Sequence, residues 1–569
     1  MKKTLFFILA TVTIFSLSSC NGLKKMIQNA DDINYSVNPE ILEMHGGKVA
    51  VNITGNFPEK YFAKKVTATI TPTLVWEGGE KALTPVYVQG EKIQGNAKVI
   101  QYKAGGSFSY NDSFDYEPAM RRSHLELRIV GSQGKKTAEF DPEFIADGIV
   151  ATPDLVKMQG ASSVAKDKFI KDNPDVKVAA INYDKNRAEL KNAETKKDEI
   201  VELKDFVNNV ANDDRKEFVN VELLSYASPE GTLEINTKVS NDRSKTVDKY
   251  VKNEFEKIDE FKNNDFFEHL VTEEDWEGFK TVVQESNLAD KDMILRVVNM
   301  NSDPDKREEE IRKMTATFEE LEKLVHPLLR RSEIKVNIML IGHTDDEIKD
   351  LFKNSPEELT VEEFLYLGNI YDNDEDKLAV YTKASEVYNK EWRCFNNLAA
   401  VQYRMKDYAA AKISIEKAKA LDANATVFNN LGNVYLAEGN TSEAEKNYQS
   451  ATGVPEASAG QGVLAIKNAQ YKNAVDFYAN MNCFNAGLAR LLNGDSNGAI
   501  EAASNGKDKE DALNYYLKAI AGARKGDTEV LFNNLRTACT KDSKLKDFAS
   551  KDVEFIKYFE NDTFKSIVK

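Results

Sequence analysis

The sequence has 569 residues, of which 41% are hydrophobic and 30% are charged, as in ordinary globular proteins. A chain of this length is expected to form three or four domains. Its net charge of −16 repels nucleic acid and anionic lipid surfaces, so neither is expected as a binding partner.

The N-terminal residues have the pattern of a secretory signal. Lys2 and Lys3 precede an apolar run, and Leu17-Ser18-Ser19-Cys20 follows. This ending resembles the lipobox of bacterial lipoproteins. The resemblance implies a signal peptide over residues 1–19, cleavage before Cys20, and acyl chains such as palmitate on Cys20, which anchor stably when two or more are present. An ordinary signal peptide with a chance cysteine is the alternative.

The residues after Cys20 bear on location. Asn21, Gly22 and Leu23 include no aspartate, and no early acidic cluster follows. By resemblance to lipoprotein sorting signals, this favours the periplasmic face of the outer membrane, with the lipid as the only membrane contact.

No pattern of catalytic, cofactor-binding or metal-binding residues stands out. The phosphate-binding glycine loop, Gly-x-Ser-x-Gly, His-Glu-x-x-His and Cys-x-x-Cys are all missing from the sequence, and its five histidines are scattered. Cys394, Cys483 and Cys539 lie far apart in helical sequence and are expected to be buried small hydrophobes. The sequence therefore predicts no enzyme, no cofactor and no metal.

The first half of the mature chain is predicted as a tether, a β domain and a linker. Residues 20–45 are the expected tether. Residues 46–150 contain short alternating runs such as "HLELRIV", which favour an antiparallel β-sandwich. Residues 151–175, which contain Pro153 and Pro174, are the expected linker.

Residues 176–345 are predicted to form an α/β domain. Strand patterns in 176–190, 218–228 and 332–342 alternate with helical spacing, and residues 257–332 are predicted as a mostly helical insertion.

Part of this domain resembles the OmpA-type peptidoglycan-associating domain. "INYDKNRAELK" is similar to the first strand and loop of that family, and Asn236-x-x-Val239-Ser240-x-x-Arg243 matches its helix in spacing. In the family, an aspartate and this arginine bind the amino acid end of diaminopimelate in the wall peptide. The resemblance implies that Arg243 pairs with the carboxylate.

The aspartate of that pair is missing. Counting from Asn236, its position falls on Ser228, whose neutral hydroxyl is no substitute for a carboxylate facing an ammonium group. Glu230 is the alternative carboxylate. A literal Gly-His-Thr-Asp at 342–345 is interpreted as a chance match at a strand end, because no matching helix follows it.

Residues 346–569 are helical and repetitive, with a C-terminal cap. "NNLAAVQYRMKDYAAAKISIEKA" (396–418) recurs 33 residues later as "NNLGNVYLAEGNTSEAEKNYQSA". The copies resemble tetratricopeptide repeats, and we count five to six of them. The positions that carry the resemblance are Leu398, Ala399, Tyr403, Ala411, Ala418, Leu431, Gly432, Ala444 and Ala451.

The favoured function is a non-enzymatic, lipid-anchored cell-envelope scaffold. Such solenoids present a concave face to a protein or peptide, so an unidentified protein is the expected partner. Two alternatives stay open: a peptidoglycan-tethering lipoprotein that uses Arg243, and a surface adhesin or fimbrial assembly component that uses the β domain.

Overall fold

The structure, a computed structural model, describes residues 21–569, which divide into two units. One unit contains residues up to 166 together with 371–569, and we call it the sheet–repeat unit. The other contains residues 167–370, and we call it the central unit. Each is described by itself.

The N-terminal part of the sheet–repeat unit is built from strands with alternating burial. Inward-facing residues of β3 and β9 are buried while their neighbours face outward, as period-2 patterning requires. The elements are α1 Asn21–Gln28, β1 Asn34–Asn38, β2 Ile41–His45, β3 Lys48–Phe57, β4 Thr67–Trp76, β5 Gly79–Ala82, β6 Val86–Gly90, β7 Lys98–Ile100, β8 Gly106–Asp115, β9 Ser123–Gln133, β10 Lys136–Glu139 and β11 Glu143–Val150.

These strands pair along one path, in the order β1-β3-β2-β11-β9-β4-β6-β7, around a single hydrophobic core. Strands β5, β8 and β10 pair with β4, β3 and β9. The expectation of a wholly antiparallel arrangement was wrong at two places, because β2 pairs with β11 and β6 with β7 in parallel. The N-terminal region is therefore sheet-rich, with mixed pairing.

Residues 21–45 are part of this domain, which differs from the expected tether. Leu23 and Met26 of α1 are buried, and the Tyr61 hydroxyl donates to the main-chain oxygen of Met26 at 2.8 Å. Strands β1 and β2 pair with β3. The short helix buries apolar side chains against the sheet, which is why the segment is ordered.

The central unit has an α/β fold. Its elements are β12 Asp172–Asn182, α2 Asp198–Ala211, β13 Lys216–Tyr226, α3 Leu233–Glu254, β14 Phe267–Thr272, α4 Trp276–Glu285, α5 Lys291–Met300, α6 Pro304–Lys313, α7 Thr315–Leu324, α8 His326–Leu329, β15 Arg331–Ile341, α9 Asp345–Asn354 and α10 Val361–Ile370. The strand order is β12-β15-β13-β14.

Two predicted boundaries and the content of one predicted segment differ in this unit. Strand β12 begins inside the expected linker 151–175. The expected helical insertion 257–332 contains β14, which joins the sheet in parallel with β13. Residues 346–370, expected to open the repeat domain, fall within the central unit. A short strand flanked by helices carries too little period-2 signal to be recognised in sequence.

The rest of the sheet–repeat unit is helical. Its elements are α11 Asp374–Val387, α12 Trp392–Arg404, α13 Tyr408–Leu421, α14 Ala425–Ala437, α15 Thr441–Ser450, α16 Ala457–Lys467, α17 Tyr471–Phe477, α18 Phe484–Leu492, α19 Ser496–Asn505, α20 Ala512–Lys525, α21 Thr528–Lys541, α22 Lys544–Lys551 and α23 Asp562–Val568. From α12 to α21 they form five consecutive pairs, and the two helices of each pair contact each other. None of the helices between residues 21 and 569 combines the length and apolar character of a membrane span.

The C-terminal residues close the last pair. Phe555 and Phe564 are buried, and the Tyr516 hydroxyl of α20 donates to Asp552 at 2.7 Å. The same end of the array contacts the sheet domain, since the Arg121 guanidinium lies 3.8 Å from the ring centroid of Phe548. The β domain and the repeats are thus packed into one unit.

Candidate functional site

Cys20, the predicted lipidation site, lies outside the described residues. The other predicted site residues fall in two places: the end of β13 with helix α3 in the central unit, and helices α12 to α15 in the sheet–repeat unit.

Arg243 points into the central unit and is 1% exposed. Its three guanidinium nitrogens donate to main-chain oxygens: Nε to Arg187 at 3.0 Å, one terminal nitrogen to Tyr226 at 2.6 Å, and the other to Asp184 at 3.3 Å. Burial lowers the pKa of Arg243 to about 10. The family resemblance assigns the guanidinium group of Arg243 to a ligand carboxylate. In this structure the group instead holds the loop 184–187 against the end of β13.

Asn236 and Ser228 are also buried, and they belong to the same turn and helix. The Asn236 side chain donates to the main-chain oxygen of Gly231 at 2.8 Å, and the Ser240 hydroxyl donates back to the oxygen of Asn236 at 2.7 Å. These contacts secure the turn before α3 and the first turns of that helix. The residues at the predicted spacing therefore stabilise local structure.

Glu230, the alternative carboxylate, is already paired. Both of its oxygens accept from Arg330 at 2.9 Å, and His326 Nδ1 lies 2.6 Å from Oε2. Burial favours the neutral acid, but His326 and Arg330 outweigh it and hold the pKa of Glu230 at about 2. Glu230 is therefore ionised and neutralised from the α8 segment, so it does not complete a clamp with Arg243.

The literal Gly-His-Thr-Asp sequence forms a helix start. Thr344 and Glu347 make a capping box at the beginning of α9, and His343 Nδ1 lies 2.6 Å from Glu363. Asp345 accepts from the Tyr366 hydroxyl at 2.9 Å. All these groups have partners, and each contact stabilises the end of β15 and the helices after it.

The residues that carry the repeat resemblance are packing residues. All nine are buried, as small and large side chains at helix contacts should be. Gly432 shows the reason for a small residue, because a Cβ there would lie 2.8 Å from the Tyr448 ring. Tyr403 also contacts a segment outside the repeats.

That segment is residues 156–166, which we call the strap. It has no regular secondary structure and lies along the first helices of the repeat pairs. Three asparagines each bind both main-chain groups of one strap residue. Asn485 accepts from Lys157 N at 2.9 Å and donates to Lys157 O at 2.8 Å. Asn430 does the same with Ser163 at 2.8 and 2.7 Å, and Asn397 with Ala165 at 2.7 and 3.0 Å.

Further side chains complete this surface. Asn429 and Asn433 both donate to Ala161 O, at 2.9 and 2.8 Å, and the Tyr403 hydroxyl accepts from Gly160 N at 3.1 Å. Asn396 donates to Ser163 O at 3.2 Å. We call this surface the asparagine face: Asn396, Asn397, Asn429, Asn430, Asn433 and Asn485, on helices α12, α14 and α18.

The asparagine face recognises main chain. A carboxamide presents one donor and one acceptor, so it satisfies the N–H and C=O of an extended residue as a neighbouring strand would. The strap lacks a strand partner, and buried main-chain groups need partners. The repeats, which were expected to bind a protein from outside, therefore bind residues of their own chain.

The sequence contains a pattern that could have predicted this surface, in addition to the pattern of packing residues. Phe-Asn-Asn occurs at 395–397 and again 33 residues later at 428–430, in the middle of helices. Phe-Asn occurs once more at 484–485. Asparagine is a poor helix former, because its side chain competes for main-chain hydrogen bonds. Its repetition at buried helical positions indicates a binding role.

Within residues 21–569, no group of three or more His, Cys, Asp and Glu side chains is arranged to hold a metal ion. Cys394 and Cys539 are buried and Cys483 is half-buried.

Comparison with known proteins identifies the helical region. The tetratricopeptide repeat family matches residues 425–458, which span α14, α15 and the start of α16. No curated protein matches the sequence.

Three of the solved structures that match share little sequence with this chain. The APC/C hetero-tetramer Cut9–Hcn1 is 16% identical over 39% of this chain and 45% of its own, with a TM-score of 0.32. A tetratricopeptide repeat protein from Parabacteroides merdae is 14% identical (39% and 89% covered, TM-score 0.28). Pseudomonas aeruginosa pilF is 18% identical (38% and 97% covered, TM-score 0.27). The family match and the five helix pairs show that the C-terminal helical region carries tetratricopeptide repeats.

Proposed function

We propose that this chain is a non-enzymatic, lipid-anchored scaffold of the cell envelope that recruits a protein partner through its repeats. The observation that carries the proposal is the asparagine face, on which side chains of three helices bind the main chain of an extended segment. A surface of this kind binds the main chain of an extended peptide, as a sheet edge does.

The repeat surface is tested by affinity isolation after cross-linking in envelopes. The wild-type chain is compared with Asn397→Ala/Asn430→Ala, which removes two of the main-chain clamps, and with Ile413→Ala, which alters a residue of α13 that is 63% exposed. We expect the same partner from the wild type and the Ile413 variant, and its loss from the double variant. Equal recovery from the double variant would show that the partner binds elsewhere.

The lipid anchor is supported by the lipobox-like residues before Cys20. Radiolabelled palmitate should label the wild-type chain, and Cys20→Ala should remain unlabelled and leave the membrane fraction. Labelling of Cys20→Ala would contradict the anchor. The proposed location, the periplasmic face of the outer membrane, predicts resistance to protease added to intact cells and cleavage once the outer membrane is permeabilised.

Peptidoglycan tethering receives no support from the central unit. Arg243 donates to three main-chain oxygens, and Glu230 is paired with Arg330 and His326. Neither side chain is presented to a diaminopimelate group, so the protein-recruiting function is the one we propose.

A further inference from the structure

Over residues 160–165, the strap lies on the asparagine face with small residues turned inward. Ser163 and Ala165 are 5% and 7% exposed, while Val164 between them is 36% exposed. The alternation is that of an extended segment with one face against a surface. The inward positions are small, and their main-chain groups make the contacts with Asn430 and Asn397.

Gly160 shows how closely the strap approaches the helices. A Cβ at this position would lie 1.9 Å from Asn433 Oδ1 and 2.8 Å from the Tyr448 hydroxyl. Because the Asn433 carboxamide also accepts from Tyr448 at 2.8 Å, it has a fixed place and cannot simply turn aside. The face therefore selects glycine at this point and small residues at the inward positions that follow.

We propose that the strap is a built-in competitor of the partner. In this view, which rests on the proposed function, the partner contributes an extended segment with a glycine followed by small residues at alternate inward positions. It binds the asparagines that now hold residues 160–165. The face becomes available only when the strap leaves it.

The physical basis is exchange between a tethered and a free ligand. Residues 160–165 are held by side-chain contacts to their main chain, so they can detach without breaking a sheet or a helix. Its tether gives it an effective concentration of about millimolar order. A free segment with the same affinity must be present above that concentration to displace the strap. A strap that cannot dock does not compete with it.

The test uses a fluorescent peptide with the sequence of residues 156–166 and the chain 21–569. Gly160→Val blocks docking of the strap but leaves the asparagines intact. Ser163→Pro is a second strap variant, which removes the N–H that Asn430 accepts. Val164→Ala is the matched control, because that side chain is exposed. Fluorescence anisotropy reports binding, and circular dichroism reports folding.

We expect each strap variant to bind the peptide at least about tenfold more tightly than the wild type and Val164→Ala do. Adding Asn397→Ala/Asn430→Ala should abolish the gain. In the wild-type chain, peptide at millimolar concentration should speed hydrogen exchange at Ser163 and Ala165, a result that depends on no variant. Equal peptide affinity for wild type and folded strap variants, or unchanged exchange, would overturn the proposal.

Failure here and failure of the proposed function are distinguishable. If folded strap variants do not bind the peptide but the partner is still lost with Asn397→Ala/Asn430→Ala, competition by the strap is wrong and recruitment by the repeats stands. If the peptide binds as expected and the partner ignores the asparagine variants, the strap does dock reversibly on the asparagine face, but recruitment of the partner by that face is wrong.

Discussion

Replacing Arg243 with methionine tests whether this residue is structural or a ligand contact. Methionine fills similar space but removes the Arg243 donors to the main-chain oxygens of Arg187 and Tyr226. The oxygen of Asp184 then keeps only the Arg187 N–H, at 3.1 Å. Each buried polar group that loses its partner costs about 1–3 kcal/mol, and the contacts of one guanidinium are coupled. We expect the central unit to lose about 3–5 kcal/mol of stability.

The assay is native-state hydrogen exchange of the full chain, read on peptides that cover β13 and α3. Because the chain has two units, exchange by region is more informative than one global melting temperature. Arg296→Met makes the same chemical change at an exposed position and should leave exchange unchanged. Arg243→Lys keeps the charge but replaces the planar fork with one amine, so we expect an intermediate loss.

A specific result would refute this reasoning. If Arg243→Met changes the opening free energy by less than about 1 kcal/mol, the three main-chain contacts do not hold the loop. If the same variant stays folded yet stops co-sedimenting with purified peptidoglycan, Arg243 is a ligand contact as in the family it resembles.

Three further predictions follow from other contacts. Asn430→Ala should free the strap and speed tryptic cleavage at Lys157 and Lys166, whereas unchanged cleavage would mean that one asparagine is dispensable. Glu230→Gln should destabilise the central unit by about 3 kcal/mol at pH 7, because a pKa shift of one unit corresponds to about 1.4 kcal/mol. Since the pKa of Glu230 falls from 4.5 to about 2 on folding, this contribution is present above about pH 4.5 and is lost as the pH drops towards 2; urea unfolding at pH 7 and 3 measures it. Gly460→Ala should lower the melting temperature of the repeats, because its Cβ would lie 2.0 Å from the Tyr448 ring, and an unchanged melt would refute that packing.

Matched controls exist for these three. Asn505→Ala changes an exposed asparagine at the end of α19, and Glu234→Gln changes an exposed carboxylate at the start of α3. Ala459→Ser alters the neighbour of Gly460 by one hydroxyl at a partly exposed position. We expect small effects from all of them.

Much of the architecture follows from local sequence. The alternation of β3 and β9 and the 33-residue repetition of α12–α13 in α14–α15 were readable, because a strand or helix must bury one face and its apolar residues then recur with that period. The α/β character of residues 176–345 followed in the same way. The strand β14 was missed because six residues flanked by helices give little periodic signal.

The contacts of Arg243 could not be predicted from the sequence. Its spacing from Asn236 places both on α3, which the sequence shows. That the guanidinium turns inward to Asp184 and Arg187 depends on where a loop 56–59 residues earlier passes, and no local pattern specifies it.

The sequence by itself determined the elements, the repeats and the pattern expected of an exported, lipid-bearing chain. Only the tertiary structure decided what occupies the repeats. The strap and its asparagines are separated by 232 to 328 residues along the chain. Their contacts join side-chain carboxamides to main-chain groups, which every residue carries. The residue types of the strap therefore do not predict these contacts.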